Sequence, residues 1–402
     1  MLESLGYIFI LGLTLGSIFK KLGLPSLIGM LLAGIILGPY VLNLLSEDLL
    51  NISADLREIA LLIILTRAGL SLNIEDLKKM GFTTILMSFL PACFEITATF
   101  VLGQCIFGFE PIEALLLGAV IASASPAVIV PRMIRLIKEG YGVDKAIPQL
   151  ILTGDSVDDV FNIVVFSAVL GMNTGEGVSI MSFLQIPLSI IIGIIFGVLL
   201  GYVVVKWCQV FVTNTTIKVV ALLSLGFLLT AFENYVKQFF PFSSLITIMA
   251  TGVTLYKLLP QEAEAMSQQL AKLWVVGEVL LFVLVGATVN INYITFTGFS
   301  AIIMLIAVFF VRSLGIFCAL LGSGYNMKEK LFCMFTGLPK ATVQAALGGI
   351  PLAYGLASGE MILAISVIAI LFTAPVGAFL LDTTYKKLLN KTNISHSTSQ
   401  HS

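Results

Sequence analysis

The sequence predicts an all-α protein that crosses a membrane about thirteen times. Three observations predict it. Of 402 residues, 58% are hydrophobic and 11% charged, with a mean hydropathy of +1.04. Apolar runs of spanning length recur from end to end, and lysine and arginine crowd into alternate loops. A soluble globular chain carries roughly 25% charged residues, so a water-soluble enzyme and a disordered chain are both excluded.

A spanning helix needs about 20 mostly apolar residues. Runs bounded by polar or Gly/Pro punctuation cover 4–19, 24–44, 56–73, 79–107, 111–137, 147–172, 182–208, 217–236, 241–258, 271–290, 297–324, 329–354 and 361–384. The first has an acidic flank, Glu3, and no small-residue cleavage site after it, so it reads as a span and not as a signal peptide. Seventeen of the 22 lysines and arginines fall on one side, in or at the edges of the loops that follow odd-numbered spans or in the tail. The positive-inside rule then expects the N-terminus outside and the C-terminus in the cytoplasm. The polar end of the chain, NISHSTSQHS, reads as a disordered tail.

Several chemistries are excluded by what is missing. A net charge of -1 leaves no basic face for nucleic acid. Cys93, Cys105, Cys208, Cys318 and Cys333 lie in or beside apolar runs without CxxC spacing, so neither a disulfide framework nor a cysteine metal site is expected. Both histidines, His396 and His401, lie in the tail. A phosphate loop and a serine elbow are both lacking, so no cofactor and no enzymatic activity are expected.

Ionisable residues in apolar runs are functional candidates, because each costs on the order of 2.5–3.5 kcal/mol at the bilayer centre. They are Arg67, Glu95, Asp155, Asp158, Asp159, Glu278, Arg312 and Lys340. Asp158 and Asp159 are adjacent on one helix, and two such carboxylates cannot both ionise cheaply, so they take up charge as a coupled unit. That suits a site holding protons or a hard cation such as Na⁺ or Li⁺. Asn162 follows one turn later, and Asp155 and Ser156 precede by one turn, making a polar stripe on an apolar helix. For Glu95 with Arg312 the structural reading, a buried ion pair that holds two spans in register, is favoured over a transport role.

Helix breakers interrupt two spans. The fifth contains Ser123, Ser125 and Pro126, and the twelfth contains Gly337, Pro339 and Lys340. A broken helix persists at membrane depth only where protein or a cavity surrounds it. Paired breaks in two halves of a chain point to a transporter site. Pro126 and Pro339 are 213 residues apart, and Glu95 and Arg312 are 217 apart. This shift of seven spans predicts two inverted repeats joined by one linking span.

The stretch 125–166, beginning SPAVIVP and containing GDSVDDVFN, resembles the NHA branch of the monovalent cation/proton antiporters. So do ILTRAGL (64–70), LLFVLVGATVNI (280–291), the Arg312 span and NMKEKLFCMFTGLPKATVQAALG (326–348). The resemblance implies a dimerisation domain and a mobile core domain in which two discontinuous helices cross beside the aspartates. It divides the chain into dimerisation-domain helices at 1–78 and 217–290, core-domain helices at 79–172 and 291–384, a linking helix at 173–216 and a cytoplasmic tail at 385–402.

The resemblance also implies a homodimer in the cell membrane that exchanges Na⁺ or Li⁺ for H⁺. Asp158 and Asp159 take the positions of the cation ligands. Lys340 matches a lysine that can pair with an aspartate, and Glu95 and Arg312 match a supporting ion pair. Ser125, Ser156 and Asn162 are expected to add oxygens. Asp155 departs from the family, which has a small residue there, so its extra carboxylate bears on ion choice and proton count. K⁺/H⁺ exchange and Na⁺-coupled symport of an organic anion remain alternatives on the same general fold. An intramembrane aspartyl protease needs aspartates on two helices, and a channel needs a continuous polar path; the sequence offers neither.

Overall fold

The computed structural model describes residues 1–71, 81–172, 180–211, 214–236, 240 and 242–392. Among these residues the structure is helical, apart from an isolated bridge between Tyr141 and Lys391. In chain order the helices are α1 (Leu2–Lys21), α2 (Ser26–Leu37), α3 (Glu47–Asn51), α4 (Ser53–Ser71), α5 (Gly81–Met87) and α6 (Leu90–Phe107). Then come α7 (Pro111–Ile121), α8 (Pro126–Glu139), α9 (Ile147–Met172), α10 (Ile180–Phe211), α11 (Thr215–Val236) and α12 (Ser244–Leu258). The last six are α13 (Pro260–Thr288), α14 (Ile291–Ala319), α15 (Met327–Thr336), α16 (Thr342–Leu347), α17 (Ile350–Ala353) and α18 (Gly359–Leu388).

Local chemistry explains most of the boundaries. Capping boxes open α7, through Glu110 and Glu113, and α15, through Asn326 and Glu329, satisfying backbone donors that the first turn leaves free. Glycines in the left-handed region close α6 at Gly108 and α8 at Gly140. Eight helices among the described residues are long and apolar enough to cross a membrane, α1, α11, α13, α14 and α18 among them. The helix α9 is 26 residues long and carries three aspartates in an otherwise apolar sequence. Shorter apolar helices, such as Ser26–Leu37 and Ser244–Leu258, do not span by length alone.

The structure redraws three of the expected runs. The second ends as a helix at Leu37, because Gly38 is extended and Pro39 follows. The fourth is divided at Ser88–Phe89, just before Pro91. The tenth starts at Pro260 and not at 271, since QEAEAMSQQLAKL is polar yet rich in good helix formers. The fifth and twelfth break where their prolines predict.

Packing falls along two sets of neighbours. The long helix α13 lies against α1, α2 and α4, while α12 lies against α4 and α10. In the other set, α14 packs on α6 and α18, and α9 packs on α7 and α8. Gly34 of α2 touches the backbone of α13, so that a Cβ there would collide with the Val283 carbonyl; Gly286 meets Leu31 in the reciprocal contact. Gly29 packs against Leu15 and Gly38 against Ala287. The glycines of α2 therefore seat helices of the same chain on one another and carry no argument about a second copy.

Replacing Gly34 by leucine is expected to wedge α2 off α13 and to cost about 1–3 kcal/mol or more, as overpacking does. Thermal unfolding in detergent should show the loss. Gly298→Ala, where a Cβ meets nothing within 4 Å, should not lower the transition and should raise it slightly, because alanine suits a helix interior better than glycine.

Candidate functional site

The two broken helices meet back to back. The α7 helix stops at Ile121, the chain runs non-helically through Ser123 to Ser125, and Pro126 starts α8. The α15 helix stops at Thr336, and after Gly337 to Ala341 the chain resumes as α16. The Ser125 N–H donates to the Pro339 carbonyl at 2.8 Å, which ties one break to the other. A helix that ends inside the protein leaves carbonyls without partners. Here the Gln344 amide serves three of them at once, donating to Val120, Ile121 and Ser123 at 2.9, 3.2 and 3.0 Å. Arg312 adds a hydrogen bond to the Ala122 carbonyl.

Four charged side chains form a buried chain across this junction. Glu95 Oε2 accepts from Arg312 Nη1 and from Lys340 Nζ, both at 2.8 Å. The other arm of the guanidinium, Nη2, donates to Asp158 Oδ2 at 2.8 Å. Glu95, Asp158, Arg312 and Lys340 are at most 3% exposed. The backbone holds the ends in place: the Lys340 N–H donates to Thr373 Oγ1 at 2.9 Å, and Gly337 leaves room for Arg312, since a Cβ there would lie 2.9 Å from Nε. The Glu95–Arg312 pair predicted from sequence is therefore present. The expected partner of Lys340 is different: Glu95 takes Lys340, and Arg312 takes Asp158. The reason is geometric, because Glu95 lies between the two cations and one carboxylate oxygen serves both.

The adjacent aspartates have separate environments. Asp158 points into the charge chain, with Oδ1 unpartnered and its own backbone carbonyl accepting from Asn162 Nδ2 at 2.8 Å. Asp159 turns the other way, accepts a hydrogen bond from the Ser123 hydroxyl and lines a cavity of about 400 Å³. Asp155 is 7% exposed with Oδ2 unpartnered, and Asn162 Oδ1 and Ser125 Oγ are buried without a partner as well. The side chain of Ser156 lies outside the described residues. Buried polar atoms without partners are uncommon, and here four of them are oxygens on α9 or on the α7–α8 break. An oxygen-rich, partly unsatisfied setting of this kind can accept a hard monovalent cation or protons. The three aspartates do not converge on a single point, and no group of His, Cys, Asp and Glu among the described residues forms a multidentate metal centre.

The cavity lies between α4 and Trp274 of α13 on one side and α8, α9 and α16 on the other. Arg67 lines it, whereas Glu278 does not. Sequence reasoning named the break at Ser123 but not the bond from its hydroxyl to Asp159. It missed Gln344 altogether, although a lone amide in the apolar turn after a proline break signals unsatisfied carbonyls nearby.

Comparison with known proteins identifies the family and the fold. Residues 7–387 match the family described as "Sodium/hydrogen exchanger, transmembrane". Sodium/hydrogen exchanger 9B2 of Homo sapiens is 34% identical over 383 residues, spanning 92% of this chain and 70% of that protein. Sodium/hydrogen exchanger 9B1 of Homo sapiens is 30% identical, with 92% and 73% covered. The sodium proton antiporter MjNhaP1 from Methanocaldococcus jannaschii has the same fold, with a TM-score of 0.80 at 20% identity over 96% of this chain and 97% of that one. The chain is thus a multi-pass membrane protein that belongs to the sodium/hydrogen exchanger family.

Proposed function

We propose that the chain exchanges Na⁺ or Li⁺ for protons across the cell membrane by alternating access, with Asp158 and Asp159 as its ion-handling pair. The observation that carries this reading is the split between them. Asp158 is committed to Arg312, while Asp159 is bound by a neutral hydroxyl and faces the cavity. A cation entering the cavity meets Asp159 and displaces its proton. Asp158, Asn162 and Ser125 have unpartnered buried oxygens on the same elements, α9 and the α7–α8 break, and these are the further ligands this reading assigns. The site has four carboxylates, Glu95, Asp155, Asp158 and Asp159, against two cations, Arg312 and Lys340. Fully ionised and empty, it carries excess negative charge that an apolar barrier opposes. Loaded with the cation or with protons, its charge is compensated and the core can move; that difference enforces exchange.

The finer architecture follows from the same reading. About thirteen spans form two inverted repeats, with the N-terminus outside and the C-terminus in the cytoplasm. Residues 1–78 and 217–290 make a dimerisation domain, 79–172 and 291–384 the mobile core, and 173–216 the link. The packing of α13 with α1, α2 and α4, apart from that of α14 with α6 and α18, supports this division. Two copies associate through the dimerisation domain. Lys340 belongs in this reading to the ion-pair chain and not to proton carriage, because it pairs with Glu95 and not with Asp158.

The test is proton movement in proteoliposomes, read with a pH-sensitive dye as Na⁺, Li⁺ and K⁺ are added in turn. Asp159→Asn should fold normally, since an amide oxygen still accepts from Ser123, yet lose cation-driven proton flux. Asp158→Asn should instead lower thermal stability, by about 3–5 kcal/mol for a buried pair broken on one side. Equal stability of the two variants, or flux retained in Asp159→Asn, would sink the assignment.

A second prediction concerns charge. Arginine does not deprotonate in proteins, so Lys340→Arg should keep exchange with the number of protons moved per cation unchanged. A fall in that ratio in a folded, active Lys340→Arg protein would make Lys340 a proton carrier instead.

A further inference from the structure

Arg67 is a charged residue in the expected third span to which the exchange scheme gives no role. It sits on α4, its side chain half-buried, and among the described residues it has no ion-pair or hydrogen-bond partner. A guanidinium is costly in apolar surroundings unless something compensates it. The residues around it are mostly apolar: Leu61, Leu65, Val130, Val160 and Trp274 share its cavity. Of the described residues lining that cavity, the ionisable ones are Arg67 and Asp159. They stand on helices from different packing groups, Arg67 on α4 with α12 and α13, and Asp159 on α9 with α7 and α8.

We propose that Arg67 is a tethered competitor for Asp159, a fixed positive charge in the cation's own entry cavity that sets how tightly this face of the protein binds the transported ion. The inference rests on Asp159 being the cation-binding carboxylate. In a cleft walled by hydrocarbon, two charges act on each other far more strongly than across water. A monovalent cation reaching Asp159 does so against the field of Arg67, which weakens its binding and speeds its departure. The same field compensates part of the negative charge of the empty site, so the vacant state is held where Arg67 faces it. A stronger site without Arg67 would release its cation more slowly into the compartment on the cavity side. Arg67 touches no transported species in this scheme; it acts through Asp159 and is a positioning residue.

The experiment is Na⁺-concentration dependence of exchange in proteoliposomes of the full chain, at a pH high enough that protons compete little. Arg67→Met keeps an apolar stem without the charge and should lower KM for Na⁺ by roughly threefold or more, while Arg67→Lys keeps KM near that of the unmodified protein. Arg67→Cys gives a second route that does not depend on how Met packs. Labelling it with a positively charged methanethiosulfonate should raise KM, and labelling with a negatively charged one should lower it, with the labelled parent protein correcting for the native cysteines. A change that follows the sign of the charge supports the proposal, because a purely structural role has no reason to follow that sign. An unchanged KM in Arg67→Met, together with the same KM after labels of opposite sign, overturns it. Asp159→Asn run alongside separates the two readings: flux surviving in that variant removes the site assignment itself, whereas its loss with KM insensitive to Arg67 removes only this inference.

Discussion

One carboxylate oxygen carries the centre of this protein. Glu95 Oε2 accepts from both Arg312 and Lys340, and Arg312 continues to Asp158. That chain brings together α6, α14, α9 and the break between α15 and α16. Each member is desolvated at a cost of several kcal/mol per ion, which only close pairing and further hydrogen bonds offset. Such a network gives little net stability, but it is intolerant of change: losing a single partner strands a charge in a place water does not reach. It therefore specifies one arrangement of these helices more than it strengthens the fold.

The broken helices depend on that arrangement. Backbone polar groups released at membrane depth need partners from protein. Here the Gln344 amide, the Arg312 guanidinium and the Ser125–Pro339 hydrogen bond provide them. The breaks are thus held by protein partners despite being non-helical, and the Ser123 hydroxyl is delivered to Asp159 by the same loop whose carbonyls Gln344 and Arg312 hold. Groups that hold the fold together and the groups proposed to handle ions share residues at this point. Arg312 is at once the partner of Asp158, the partner of Glu95 and a cap on α7.

The surroundings divide the work. Close glycine contacts between α2 and α13 make a tight frame, with backbone against backbone. The cavity lies where that frame, through α4 and Trp274, faces α8, α9 and α16. Asp159 is placed on the wall of that boundary, and Asp158, one residue away, is on the other side of the helix. Adjacent residues of an α-helix are about 100° apart in direction, so a pair that looks redundant in sequence meets two different environments.

Much of this was legible in the sequence. The length of the apolar runs marked where most helices lie, and Pro126 and Pro339 marked both breaks, because proline removes a donor wherever it stands. The inventory of candidate residues was legible for the same reason: an ionisable group in an apolar run is conspicuous by composition alone. The partners were not. That Lys340 binds Glu95 and not an aspartate, that Gln344 caps a helix more than 220 residues away in the chain, and that Arg67 shares a cavity with Asp159 all depend on distances between segments remote in sequence. Local propensity and patterning describe each helix by itself, so the sequence alone determined which residues enter the membrane-embedded core. Which charge neutralises which is set by contacts of a few ångströms, and those exist only once the helices have packed.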